Sequence, residues 1–165
     1  MLRKYSSLAN RIAYVDLSKR SWVGEEKPDS DFFLYLGGRA LGAKLLFSGQ
    51  PRGIDPFGAD NQIIFSAGKL VGTPAPTAGQ LTITSLSPAT GFYFKSNTGG
   101  GWAKSLKRAG WDAVVIRGMS EKPVFLSIDG NSIEFHDGTS LWGLGVREAE
   151  TEMRRILGGK GWEIA

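Results

Sequence analysis

Apolar positions along this chain change period several times, and each change predicts an element. Arg11–Leu17 alternates and is rich in β-formers, and Ser21–Glu25 follows after the turn Ser18-Lys-Arg20, so the pair predicts a hairpin. Pro28-Asp-Ser-Asp31 is a helix-start signal with Asp29 or Ser30 as cap, and Phe32, Phe33 and Leu36 form the apolar face of a short helix. Gly37-Gly38 breaks it. Arg39 to Phe47 resumes at helical spacing, with Leu41, Leu45 and Leu46 facing inward. Gln62–Ser66 is a continuous apolar run and predicts a buried strand. Gln80–Leu86 alternates and predicts a strand with one face covered. Between them, Ala67 to Gly79 is too long for an ordinary turn, and long ordered loops are often functional.

The second half repeats this grammar. Phe92–Phe94 predicts a short aromatic strand, Trp102–Ala109 a two-turn helix ended by Gly110, and Asp112–Ile116 another buried strand. Pro123–Ile128 and Ser132–His136 flank Asp129-Gly-Asn131, a strong hairpin turn. After Asp137 or Thr139 as a cap, Arg147–Leu157 predicts a helix with Val146, Ala149, Met153 and Ile156 on its inner face. Gly161–Ala165 reads as the start of a strand. Hairpin, helix and buried strand thus occur in the same order at both ends, which suggests an internal duplication resting on element order alone, with the chain ending mid-unit. An apolar strand left at such an end invites another polypeptide to complete the sheet. Residues 1–9 read as a loose lead-in.

Composition narrows the function. The 165 residues fit one domain with a real core, at 41% hydrophobic and 22% charged residues. No apolar run approaches the length of a membrane span, and the N-terminus lacks a secretory h-region, so the expected compartment is the cytoplasm. With no cysteine, this chain forms no disulfide and ligates no iron–sulfur cluster through thiolates. His136 is the only histidine, which argues against His-rich metal sites and a Ser-His-Asp triad; it reads as an ordinary strand residue rather than a general base. The carboxylates are scattered, with no paired acid/base constellation. A pI near 9.4 raises nucleic acid as a partner, but a net charge of +4 and the absence of any recognition pattern set it aside.

That charge is concentrated. No Asp or Glu occurs between Asn61 and Trp111, whereas Lys69, Lys95, Lys104, Lys107 and Arg108 do. At the centre of the segment, Asn97 is a candidate helix cap, and Gly99, Gly100 and Gly101 let a ligand approach bare backbone N–H groups. The segment reads either as an anion seat at a helix start or as a plain turn, cap and solvated helix face. Trp102 reads equally as a stacking surface and as a core or rim residue. Arg39 reads first as a surface or salt-bridged arginine, and second as an anion contact.

Several motifs then match a known family in order. They are Gly37-Gly-Arg-Ala-Leu-Gly-Ala-Lys44, Asp55-Pro-Phe-Gly58, Ile64-Phe-Ser-Ala-Gly-Lys-Leu-Val-Gly-Thr73, Ser85-Leu-Ser-Pro-Ala-Thr-Gly91, Ser96-Asn-Thr-Gly-Gly100, Leu106-Lys-Arg-Ala-Gly-Trp-Asp-Ala-Val-Val-Ile116, Glu121-Lys-Pro-Val124 and Leu141-Trp-Gly143. From about Asn10 to Ala165 the chain resembles the N-terminal domain of the tungsten-containing aldehyde ferredoxin oxidoreductases. The resemblance implies an α+β domain of two packed β-sheets with helices on the outer faces. It implies a share in a tungsten (or molybdenum) bis-pterin cofactor, and an enzyme that oxidises aldehydes to carboxylic acids and passes electrons to ferredoxin. Asn97, Thr98, Gly99 and Gly100 match the family segment that helps to hold the pterin and its phosphate. Gln80 stands where the family commonly has an arginine facing the pterin, which weakens or removes a contact. The family's further Gly-rich segment and its later domains, with their Cys ligands and substrate pocket, lie outside this sequence. The expectation is a pterin-binding domain or subunit that is not catalytic alone and works with a larger subunit or further domains. The alternative is a non-catalytic pterin-binding or assembly scaffold, with a homo-oligomer as a further option.

Overall fold

In the computed structural model, residues 9–159 and 161–165 are described; the lead-in expected over residues 1–9 falls, apart from Ala9, outside them, as do the side chains of Phe32 and Phe33. The first hairpin is β1 (Arg11–Asp16) and β2 (Ser21–Glu26), paired antiparallel with Asp16 opposite Ser21. Helices α1 (Asp29–Tyr35) and α2 (Gly38–Gly49) follow. Leu36, Gly37 and Gly38 all take positive φ between them, which explains the break: two glycines make a left-handed run tolerable. Leu36 therefore points out, 59% exposed, instead of completing the inner face of α1.

Strands β3 (Ile63–Ala67), β4 (Leu81–Leu86), β5 (Tyr93–Thr98) and β6 (Ala113–Arg117) join the hairpin in one six-stranded sheet, in the order β2-β1-β6-β3-β4-β5. Only the β1–β6 pair is parallel. One face packs on α2, where Leu41 and Leu46 meet Ile12, Ile64, Ala113 and Val115. The other face, with Ala13, Val15, Val114 and Leu81, carries α3 (Trp102–Arg108) and a two-stranded sheet of β7 (Val124–Asp129) and β8 (Ser132–Asp137). The fold is thus α+β with two packed sheets. The two hairpins that suggested a duplication fall in different sheets.

Trp111 joins the layers. It is wholly buried, meets Trp22 edge-on with centroids 5.9 Å apart, and lies beneath the Arg11 guanidinium at 4.0 Å. Its Nε1 donates to the Gly130 carbonyl in the β7–β8 turn at 2.9 Å, while Arg11 donates to Asn131 Oδ1 at 2.6 Å. Beside it, Lys107 and Asp112 form an ion pair with side chains only 5% and 1% exposed, so Lys107 does not belong to the solvated helix face expected for it.

The sequence pattern fails in three further places, each for lack or excess of neighbours. β4 is covered on both faces, with Leu81, Thr82, Thr84 and Ser85 all buried, because it is an inner strand with α2 on one side. Helix α4 (Val146–Ile156) buries none of its residues, and Val146 is 87% exposed. Residues 161–165 form no strand. There, Trp162 is tied to α4 instead, its carbonyl accepting from Arg154 Nη1 at 2.5 Å. A cavity of about 670 Å³ opens between α3, β7, α4 and this segment, with Trp102, Leu106, Leu126, Met153, Leu157 and Trp162 among its walls.

Removing one partner of a buried ion pair leaves an uncompensated charge. Lys107→Met is expected to destabilise the chain by about 3–5 kcal/mol in denaturant unfolding, and adding Asp112→Leu should restore most of the loss. Equal midpoints for the wild type and Lys107→Met would show that the pair is not buried in solution.

Candidate functional site

Strand β5 runs further than its aromatic start suggests. It pairs with β4 along its whole length, and Asn97 lies opposite Thr82, Thr98 opposite Leu81. Asn97 is therefore not a helix cap. Helix α3 begins at Trp102 behind Gly101, with no side-chain capping bond, and Asn97 is four residues earlier in the ladder. Pairing with β4 outweighs the capping preference, because it satisfies a row of backbone groups at once.

The new position builds a different site. On β5, Tyr93, Lys95 and Asn97 share the face covered by α2, since they lie opposite Leu86, Thr84 and Thr82. Thr82 Oγ1 donates to Asn97 Oδ1 at 3.2 Å. Thr82 in turn abuts the start of α2, where a Cβ built on Gly38 would come 3.6 Å from its hydroxyl. Arg39, in the first turn of α2, is exposed and stands near Tyr93; burial raises the Tyr93 hydroxyl's pKa and the Arg39 charge pulls against that rise.

The long loop is stitched to the same corner. Gly37 bridges Gly68, and the Lys69 amide donates to the Leu36 carbonyl at 3.1 Å. Gly37 cannot be replaced without backbone movement: its φ is +73° and an added Cβ would lie 2.5 Å from the Ala67 carbonyl oxygen. At the other end of the loop, Gly79 lies against Gly100, with a built Cβ 3.9 Å from the Gly100 carbonyl. This puts Gln80 beside the Gly99–Gly100 turn, and both residues of that turn have open space where a side chain would stand.

The structure thus brings Gln80, Asn97, Thr98, Gly99 and Gly100 together at one exposed corner and adds Thr82 beneath the start of α2, while Arg39, read first as a surface residue and second as an anion contact, is exposed near Tyr93. Only the strand register, which pairs residues 15 apart, reveals Thr82. Trp102 belongs with the core rim, tilted on Phe65 with centroids 5.5 Å apart. His136 stacks on Phe125 and shares a 2.8 Å hydrogen bond with Ser127 Oγ; Glu134 approaches the same nitrogen at 3.9 Å, so the three do not form a relay. Among the described residues, no group of three His, Cys, Asp or Glu side chains gathers in a metal-binding arrangement, and no helix is long and apolar enough to cross a membrane.

An exposed corner of backbone amides, an amide side chain and a cation can bind an acceptor-rich, anionic group. The family model described as "Aldehyde ferredoxin oxidoreductase, N-terminal domain" matches residues 12–165. The chain belongs to the aldehyde ferredoxin oxidoreductase family. Among curated relatives, it is 38% identical over 155 residues to the tungsten-containing aldehyde ferredoxin oxidoreductase of Thermococcus kodakarensis, covering 94% of this chain and 26% of that protein. The corresponding enzyme of Pyrococcus furiosus is 37% identical over the same share of each chain. A solved structure, the BamBC active-site complex of benzoyl coenzyme A reductase with 1,5-dienoyl-CoA, superposes with a TM-score of 0.91 at 34% identity, over 94% of this chain and 24% of that one. The chain therefore spans about a quarter of the length of the curated oxidoreductases it matches.

Helix α2 must lie close for the corner to exist, and Gly42 allows this. A Cβ there would come 2.6 Å from Thr84 Oγ1 and 2.9 Å from its methyl. Gly42→Ala is expected to cost about 1–3 kcal/mol of stability, an overpacking penalty. Thr84→Ala removes both clashing atoms, so the Gly42→Ala cost measured in a Thr84→Ala background should shrink. An unchanged cost would locate the strain elsewhere.

Proposed function

We propose that this chain, as a single domain, forms part of the pterin-holding wall of an aldehyde ferredoxin oxidoreductase type enzyme and is not catalytic alone. The observation that carries this reading is the convergence of Asn97, Gly99, Gly100 and Gln80 with the α2 start at one corner, in a chain of this family. The donor set fits such a group: Asn97 offers an amide, Gly99 and Gly100 offer backbone with no side chain in the way, and Lys95 supplies positive charge from the same strand face, while the Glu163 carboxylate stands beside Gly101 and bounds the seat on that side. When bound, a tungsten (or molybdenum) bis-pterin would supply the two-electron chemistry that takes an aldehyde to a carboxylic acid. This chain's residues would bind and orient the pterin and its phosphate. Iron–sulfur ligation and the substrate pocket would come from a larger subunit or further domains, with ferredoxin as electron acceptor, in the cytoplasm.

The cavity beside α3, β7 and α4 is where we expect that further polypeptide to pack, since Met153, Leu157 and Trp162 line it and are only half-buried. A second reading, a scaffold that carries pterin without serving catalysis, is favoured by Gln80, which offers no charge where the family commonly has an arginine.

Native mass spectrometry of the chain purified from its natural host, with metal and pterin analysis of the same sample, tests these readings. A complex containing a larger partner, tungsten or molybdenum, and pterin is the expected result. The same complex without aldehyde oxidation would favour the scaffold. A bare chain with no pterin would overturn both, and aldehyde oxidation by the isolated chain would overturn its non-catalytic role.

A further inference from the structure

We propose that Thr82 is a positioning residue for Asn97: its hydroxyl holds the Asn97 amide with the oxygen inward, so that the Nδ2 donors face the bound pterin or phosphate. The inference rests on the pterin-binding reading above and adds which atom of Asn97 does the binding.

An asparagine amide presents either two donors or one acceptor, depending on a rotation about its last torsion. An exposed Asn with no fixed partner samples both, and a ligand must select one. Asn97 is exposed, yet its Oδ1 accepts from Thr82 Oγ1 at 3.2 Å. Thr82 is only 7% exposed and is itself held. It is an inner-strand residue between β3 and β5, with Ser66 opposite it and Asn97 on the other side. Helix α2 begins close by: a Cβ built on Gly38 would make ordinary contact with the Thr82 hydroxyl, at 3.6 Å. The nearby Gly38 carbonyl takes its side-chain bond from Ser66 Oγ at 2.8 Å, while the Thr82 hydroxyl bonds Asn97. A threonine hydroxyl carries one proton, and here Asn97 Oδ1 is the acceptor in reach. Among the described residues, Asn97 Nδ2 has no protein acceptor and is left with both protons outward. Those are the atoms an acceptor-rich ligand needs, fixed before it arrives, and fixing them lowers the cost of binding.

Three variants of the full chain, made in a host that synthesises the pterin cofactor, test this. The readout is pterin per chain, measured as the fluorescent oxidised pterin, beside the melting temperature. Thr82→Val keeps the shape and removes the hydroxyl, Thr82→Ser keeps the hydroxyl, and Asn97→Ala removes the amide. Asn97→Ala should lose pterin. Thr82→Val should retain about three- to tenfold less than wild type, the range expected for one hydrogen bond. Thr82→Ser should bring retention back, and Thr82→Val should change nothing further in the Asn97→Ala background. Wild-type retention in Thr82→Val, with loss in Asn97→Ala, overturns the positioning role and leaves the pterin reading standing. Wild-type retention in Asn97→Ala, or no pterin on the unsubstituted chain, overturns the pterin reading and the inference with it.

Should Thr82→Val fold poorly, amide orientation can be read directly by NMR on the unsubstituted chain. Asn97 Hδ2 protons remote from the Thr82 side chain support the inference, and strong nuclear Overhauser contacts between them overturn it.

Discussion

The burial of Trp111 holds the two sheets in one body. A two-stranded sheet is not stable by itself in water, so β7–β8 depends on the six-stranded sheet for its existence. The indole supplies both the apolar surface and a directed bond to Gly130, and Arg11 closes over it and reaches Asn131 in the same turn. Gly24 makes room: a Cβ there would come 2.7 Å from the ring. Because this junction fixes the hairpin relative to β6 and α3, it also sets the width of the cavity that α4 and residues 161–165 leave partly open.

On the opposite face, small residues do the equivalent work. Gly42 lets α2 lie directly on Thr84, and Gly37 and Gly38 allow the chain to turn sharply from α1 into α2. Close approach brings the first turn of α2 over Thr82, and the β4–β5 ladder brings Asn97 to Thr82 from the other side. The candidate site is thus a consequence of sheet register and helix proximity. It is not a local loop motif, and its residues come from three segments separated in sequence.

Much of the architecture was legible in the chain. Gln62–Ser66 and Asp112–Ile116 read as buried strands and lie at the centre of the sheet, within one residue of β3 and β6. Asp129-Gly-Asn131 read as a hairpin turn and is one. The Asn97–Gly100 segment read either as an anion seat or as a plain turn and cap; it lies beside the end of the long loop, and Asn97 holds its place as a strand residue rather than a cap. The errors came where a pattern depended on what lay next to it. Val146 and Ile156 have helical spacing but little to pack against, and Trp162–Ala165 has strand composition but no strand beside it. Lys107 looks like any helix-surface lysine until Asp112, five residues on, folds beneath it.

The sequence by itself determined most of the element types, the clustering of positive charge without carboxylates from Asn61 to Trp111, the absence of cysteine chemistry in this chain, and the family. These depend on local periodicity, composition and ordered motifs, which a linear reading contains. The tertiary structure decided that Asn97 sits in a ladder with its amide bonded to Thr82, that the end of the long loop at Gly79 meets Gly100, and which apolar faces stay uncovered. Each of these is a contact between segments far apart in the chain. Such contacts are set by strand register and by how closely helices can approach, and neither quantity is written in any single stretch of residues.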